Sequence, residues 1–456
     1  MAKIYKVHEN WSSRFTFVLA GIGAAVGLGN IWKFPYLTGQ NGGGAFVLVY
    51  VMAVLFVALP ILIAEIAIGR WGGQSPPNAM ANVAAEQNLS RAWPAIGWVG
   101  MLAAYLIGTY YSVVTGWTVA YMVKNARGDF AGADAANISA QFDALMASPA
   151  QMALWHGIIM ALTTVILIRG IKRGIEAAVK VMMPALFVLL LAMVAYGIFA
   201  GDMGRALHFM FDFDFSAIDG SVVLKAVGQA FFSIGVAMGL MMGFGAYLPP
   251  DISIARSALI IALADTSVAI IAGLAVFPVV FVHGLDPGEG PGLVFVSLPI
   301  AFGSITGGLV FGTLFFILLF FAAITSMIAV VEPMIAWWEE RFGLPRKAAA
   351  FFVCLSIFIL GLATIFSFNR WSGWRPLASI ERFADFGYYQ ILDYVTANIM
   401  MPLGGLLLAV FVGWRIRPEA IAGQLRMKNP TLFRAWLWLL RWVVPLSIAG
   451  ILISSI

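Results

Sequence analysis

Gly21-Ile22-Gly23-Ala24-Ala25-Val26-Gly27-Leu28-Gly29 and, farther along the chain, Gly235-Val236-Ala237-Met238-Gly239-Leu240-Met241-Met242-Gly243-Phe244-Gly245 are the two stretches whose reading decides the fold. Each lies inside an apolar segment long enough to cross a bilayer, and each carries four glycines. Glycine weakens a helix and lets backbones approach closely, so such a run marks either tight helix packing or a break. The runs fall in the first and sixth apolar segments. That spacing suggests two five-helix halves, each opening with an interrupted helix, as in transporters with inverted repeats and a midplane site. A break would free carbonyl oxygens for cations and amide groups for a carboxylate.

The rest of the chain supports a membrane setting. Of 456 residues, 61% are hydrophobic and 11% charged, a balance that requires lipid as solvent. A spanning helix takes about 20 apolar residues, and eleven spans are predicted, at 12–37, 44–70, 92–125, 151–168, 176–200, 221–247, 254–284, 305–341, 346–368, 379–413 and 431–455. This is an all-α polytopic membrane protein with a single domain over 1–456: a first repeat over 12–200, a second over 221–413 and an extra helix over 431–455. The polar start, Met1 to Asn10, is followed by no small-residue cleavage site, so the first span is expected to be retained.

Positive charge is disfavoured on the outer side of a membrane, and it falls here in every second loop. Lys3, Lys6 and Arg14; Arg70 and Arg91; Arg169, Lys172 and Arg173; Arg341, Arg346 and Lys347; and Arg415, Arg417, Arg426 and Lys428 mark the cytoplasmic ends. The N-terminus is therefore expected inside and Ile456 outside, in the cell (inner) membrane. Arg370, Arg375 and Arg382 break the pattern in an outer loop. The net charge of +5 follows from this loop bias, so the expected partners are the bilayer and a small molecule, not nucleic acid. Cys354 is the only cysteine, which excludes a disulfide or a cysteine metal site within one chain. The chain carries no HExxH, nucleophile elbow or phosphate loop, which argues against an enzyme. A channel would show a repeated filter, not two different broken helices.

The run from Gly23 through Asn30-Ile31-Trp32-Lys33-Phe34-Pro35-Tyr36, followed by Asn41-Gly42-Gly43-Gly44-Ala45-Phe46, closely resembles the first-span signature of the neurotransmitter:sodium symporter family. The likeness continues through Glu65, Gly69-Arg70, Tyr110-Tyr111, Gly228-Gln229-Ala230-Phe231-Phe232-Ser233, Gly290-Pro291-Gly292-Leu293-Val294-Phe295, Thr325-Ser326 and Glu332-Pro333, nearly the whole chain in order. It implies the leucine-transporter fold without the usual twelfth helix. It also implies two sodium ions. The first would take Ala25, Asn30, Ser233, Asp265 and the substrate carboxylate, and the second Gly23, Val26, Ala322, Thr325 and Ser326. Sodium is a hard cation that prefers oxygen ligands, and these residues supply them. Asp265 also stands out alone, because an ionisable residue inside an apolar span is costly.

Gly27 points to the substrate. Carriers of biogenic amines in the family have aspartate there, whereas amino-acid carriers have glycine. The resemblance therefore implies a neutral amino acid in contact with Ala25, Gly27, Ser233, Gly235 and Ser326, its carboxylate at the first sodium, the amides near Leu28 and Gly29 and the Tyr111 hydroxyl, and its side chain among Ile107, Phe232, Ile234, Ala237, Met238, Ala329 and Val330. An apolar lining disfavours charged side chains. Gly235 is shared with carriers of GABA and taurine, which keeps ω-amino acids as an alternative. By the same resemblance Lys33 and Asp393 form an outer gate, and His8, Trp11, Tyr247 and Glu340 an inner one. Gly174 and Pro184 resemble a motif at which the fifth span unwinds. Ala269 stands where chloride-dependent relatives have serine, while Tyr50, Gln229 and Ser233 match other chloride-site positions. A methyl cannot donate that hydrogen bond. Asp265, one turn earlier, would supply the missing negative charge, so chloride is expected not to be required.

Overall fold

The computed structural model describes residues 9–288, 292–304 and 307–455, and among them there is no strand. Among the described residues nine helices are long and apolar enough to span a membrane: Gly44–Gly72, Ala95–Arg127, Pro149–Leu167, Ile171–Ala200, Ile254–Val282, Gly308–Phe342, Arg346–Phe368, Tyr388–Arg415 and Pro430–Ser454. A tenth is the pair Arg14–Ala25 and Gly29–Gln40, bent by 50° at its break. Gly220–Ile234 followed by Leu240–Ala246 makes the eleventh, neither half long enough by itself.

The glycine runs turn out to do both of the things open to them. In the first, only Val26 and Gly27 leave the helix; Gly21 and Gly23 stay within it. A β-carbon on Gly21 would overlap the Ile261 side chain, so that glycine admits the seventh span. In the second run Gly235, Ala237 and Gly239 have φ of 69°, 68° and 71°. Alternating left-handed residues cannot continue a right-handed helix, and only glycine adopts that region freely. Ala237 is held there against a cost of about 1–2 kcal/mol.

The broken helices form the centre. Arg14–Ala25 packs against the fifth, seventh and eighth spans, and Leu240–Ala246 against the second. Gly69 sets that last contact, since a side chain there would overlap the Met242 carbonyl oxygen. Gly69→Val is expected to lower stability by about 1–3 kcal/mol through overpacking, read as a fall in Tm of the purified protein.

Nine of the predicted spans agree with the observed helices to within a few residues at each end. The tenth is a correction: it begins at Tyr388, not 379. Residues 369–387 are mostly turns, because Gly373, Pro376 and Gly387 interrupt helix, and Arg375, Arg382 and Asp385 prefer water. The fifth span begins earlier than predicted, at Ile171, and is wound through Gly174 and Pro184 up to Ala200.

Candidate functional site

The first break is stitched by its own neighbour: Asn30 Oδ1 accepts from the Gly27 amide at 3.0 Å. The Asn30 amide then turns to the other helices, with Nδ2 donating to Asp265 Oδ1 at 2.7 Å and to Ser233 Oγ at 2.9 Å. Ser233 donates to Asp265 Oδ2 at 2.7 Å, and the Tyr50 hydroxyl lies 3.3 Å from the same oxygen. Three side chains, from the first, second and sixth spans, thus converge on one fully buried carboxylate of the seventh. Burying a carboxylate costs several kcal/mol unless charge and hydrogen bonds compensate. Three donor contacts compensate in part, and a cation would complete the site.

A second group of oxygens lies on the other side of the break. Ser326 Oγ is 3.3, 3.2 and 3.1 Å from the carbonyl oxygens of Gly23, Val26 and Ala322, and Thr325 Oγ1 is 3.1 Å from the last of these. The helix end at Ala25 leaves carbonyls without intrahelical amide partners, and the eighth span brings hydroxyls to them. Such a set of neutral oxygens suits a hard monovalent cation.

Between the breaks is a small cavity of about 40 Å³. Of the residues named for the substrate, Ala25, Gly27, Gly29, Ile107, Tyr111, Phe232, Ser233, Gly235, Met238, Ser326 and Val330 line it. Ala24 and Leu240 also line it and were not foreseen. Ile234, Ala237 and Ala329 are buried behind this lining. Leu28 faces the larger outer cavity of about 210 Å³ instead, and its amide donates to the Tyr111 hydroxyl at 3.3 Å. A β-carbon on Gly27 would stand 2.7 Å from Ser326 Oγ and 2.9 Å from the Tyr111 hydroxyl. The missing side chain therefore opens the polar end of the cavity.

Lys33 and Asp393 line the outer cavity together with Tyr36, Tyr110 and Tyr389. The Lys33 ammonium stands 4.1 Å from the centroid of the Phe232 ring, which roofs the inner cavity. On the inner side Trp11 and Tyr247 meet, and further acids and bases make contacts that the sequence does not single out. Trp11 is buried, its Nε1 donating to the Phe244 carbonyl at 2.9 Å and its amide to the Tyr247 carbonyl at 3.1 Å. Ser12 donates to Glu176 through its amide at 2.7 Å and through its hydroxyl. Tyr247 donates to Glu332 at 2.9 Å, and Arg346 makes two contacts with that carboxylate, at 2.8 and 2.5 Å. Glu340 accepts from the Ser75 amide and Asn78 Nδ2, each at 2.7 Å, and so caps the helix Pro76–Glu86. His8 lies outside the described residues.

Glu176, Glu332 and Arg346 make inner-side contacts that sequence reasoning missed. The available signal was an acid inside an apolar span, as at Asp265. The same signal marks Glu65, whose Oε1 accepts from the Gly239 amide at 3.2 Å and so supports the second break.

The family model described as "SNF: Sodium:neurotransmitter symporter family" matches residues 8–140 and 129–456. A relative from Bacillus subtilis, the sodium-dependent transporter YhdH, is 34% identical over 98% of this chain and 97% of its own length. A sodium-dependent transporter from Haemophilus influenzae is 32% identical over 99% of each. The solved structure of MhsT in complex with L-phenylalanine is similar, with a TM-score of 0.89 and 35% identity over 98% of this chain and 100% of that one.

Proposed function

Because the chain belongs to the sodium:neurotransmitter symporter family, we propose that it imports a neutral, hydrophobic L-amino acid with two sodium ions, by alternating access and without chloride. The observation that carries this reading is the bare Gly27 position. It leaves room between Tyr111 and Ser326 for a carboxylate, one helical turn from the Asp265 cluster. A substrate carboxylate there would complete the first sodium site, and the second ion would take the oxygens around Ser326. The rest of the cavity is apolar enough to reject charged side chains. Phenylalanine in MhsT supports a hydrophobic substrate. Gly235 has a backbone reason to be glycine, its φ of 69°, which weakens the ω-amino acid alternative.

In alternating access the wound fifth span, the Trp11 and Ser12 contacts and the Glu332–Arg346 pair hold the inner path shut, while Lys33, Phe232 and Asp393 close the outer one. The membrane is the inner one, with the N-terminus cytoplasmic and the C-terminus outside. A carboxylate that ligates the first sodium raises the ion's affinity, and by linkage sodium raises the amino acid's by the same factor. Thermal-shift titration of the common amino acids, GABA and taurine in sodium and in choline tests this. A hydrophobic amino acid is expected to raise Tm only with sodium; equal stabilisation in both salts refutes the coupling, and stabilisation by GABA or taurine alone selects the alternative.

A further inference from the structure

The outer loop that breaks the charge rule is unexplained by transport. Its first turn reads Arg370-Trp371-Ser372-Gly373-Trp374-Arg375, two arginines and two tryptophans in six residues. The ninth span ends at Phe368, so this turn directly follows a membrane-spanning helix. Trp371 and Trp374 pack edge to face with ring centroids 5.6 Å apart, yet Trp374 remains 50% exposed. Tryptophan favours the headgroup level of a membrane, where its ring is apolar and its N–H wet. Arg375 is fixed by donating to the Ser372 and Trp374 carbonyls, at 2.6 and 3.2 Å, and Arg370 stands over Phe366 at 5.2 Å. Among the described residues neither is ion-paired, both are exposed, and the nearest acids along the loop are Glu381 and Asp385.

Beside this turn runs a wholly apolar groove of about 280 Å³ between Trp374, Pro376 and Leu377 of the loop and Tyr388, Ile391 and Val395 of the tenth span. It is separate from the transport path. Tyr389 and Asp393, which line the outer cavity, lie on another face of the same helix. A groove without polar lining, beside a turn that carries two exposed guanidinium groups and two tryptophans, matches one amphiphile in both its parts. We propose that this groove holds an acyl chain of an anionic phospholipid of the outer leaflet, its phosphate on Arg370 and Arg375. Arginine suits the role because its planar fork pairs with phosphate oxygens.

The test is the Tm of the full-length protein in nonionic detergent, with added phosphatidylglycerol, phosphatidylcholine of the same chains, or glycerol phosphate alone. Phosphatidylglycerol is expected to raise Tm about 3 °C more than phosphatidylcholine, and glycerol phosphate not at all. Arg370→Gln with Arg375→Gln should abolish the difference, and the double lysine variant, which keeps the charge but loses the fork, should keep part of it. The proposal is overturned if the two lipids act equally, if glycerol phosphate reproduces the rise, or if the glutamine variant keeps it, which would place the lipid at the basic cytoplasmic face. Loss in the lysine variant equal to that in the glutamine variant also overturns it, since the arginines would then only hold the turn.

Discussion

Gly27→Asp is expected to abolish uptake of the amino acid. The new carboxylate would enter the gap between Tyr111 and Ser326, where a β-carbon alone comes within 2.9 Å of both hydroxyls. It would also face the substrate's own carboxylate. Two like charges about 4 Å apart at an effective dielectric of 20 repel by roughly 4 kcal/mol, about a thousandfold in affinity. Crowding contributes as well, and Gly27→Ala measures it separately. The excess loss in Gly27→Asp over Gly27→Ala is the electrostatic part, and it should vanish for an amine analogue that lacks the carboxylate. Binding of the parent amino acid by Gly27→Asp at wild-type affinity would show that the carboxylate does not lie at this break.

Asp265→Asn is expected to lose sodium-driven uptake almost as completely. Asn30, Ser233 and Tyr50 all present hydrogens to the Asp265 oxygens. An amide turns one of those oxygens into a donor facing donors, and it removes the only full negative charge in the cluster. Truncating one partner of a buried, hydrogen-bonded charge typically costs about 2–5 kcal/mol. Sodium affinity should therefore fall by roughly a hundredfold or more. Ala269 lies one helical turn along the same span, fully buried, and Gln229 and Tyr50 are already in place. Asp265→Asn combined with Ala269→Ser should regain uptake when chloride is supplied and lose it in gluconate. The wild type should be indifferent to that exchange. Strong chloride stimulation of the wild type would show that Asp265 does not carry the compensating charge.

Hydropathy and glycine content act locally, which is why the sequence by itself determined the spans and the positions of the two breaks. Transfer of a segment to lipid depends on its own side chains, and a left-handed residue such as Gly235 or Gly239 needs no partner to stop a helix. The family motif added the oxygens of Asn30, Ser233, Asp265, Thr325 and Ser326, which the fold then brought together. Local signals could not separate Gly21, which admits Ile261, from Gly27, which opens the cavity, because both read as glycine in an apolar helix. Nor could they pair Glu332 with Arg346 and Tyr247, or Glu176 with Ser12, since each acid has several possible partners along the chain. Only the tertiary structure decided those pairings. A buried charge is stable only where another helix delivers its counter-charge or donors, and that delivery depends on how the helices pack.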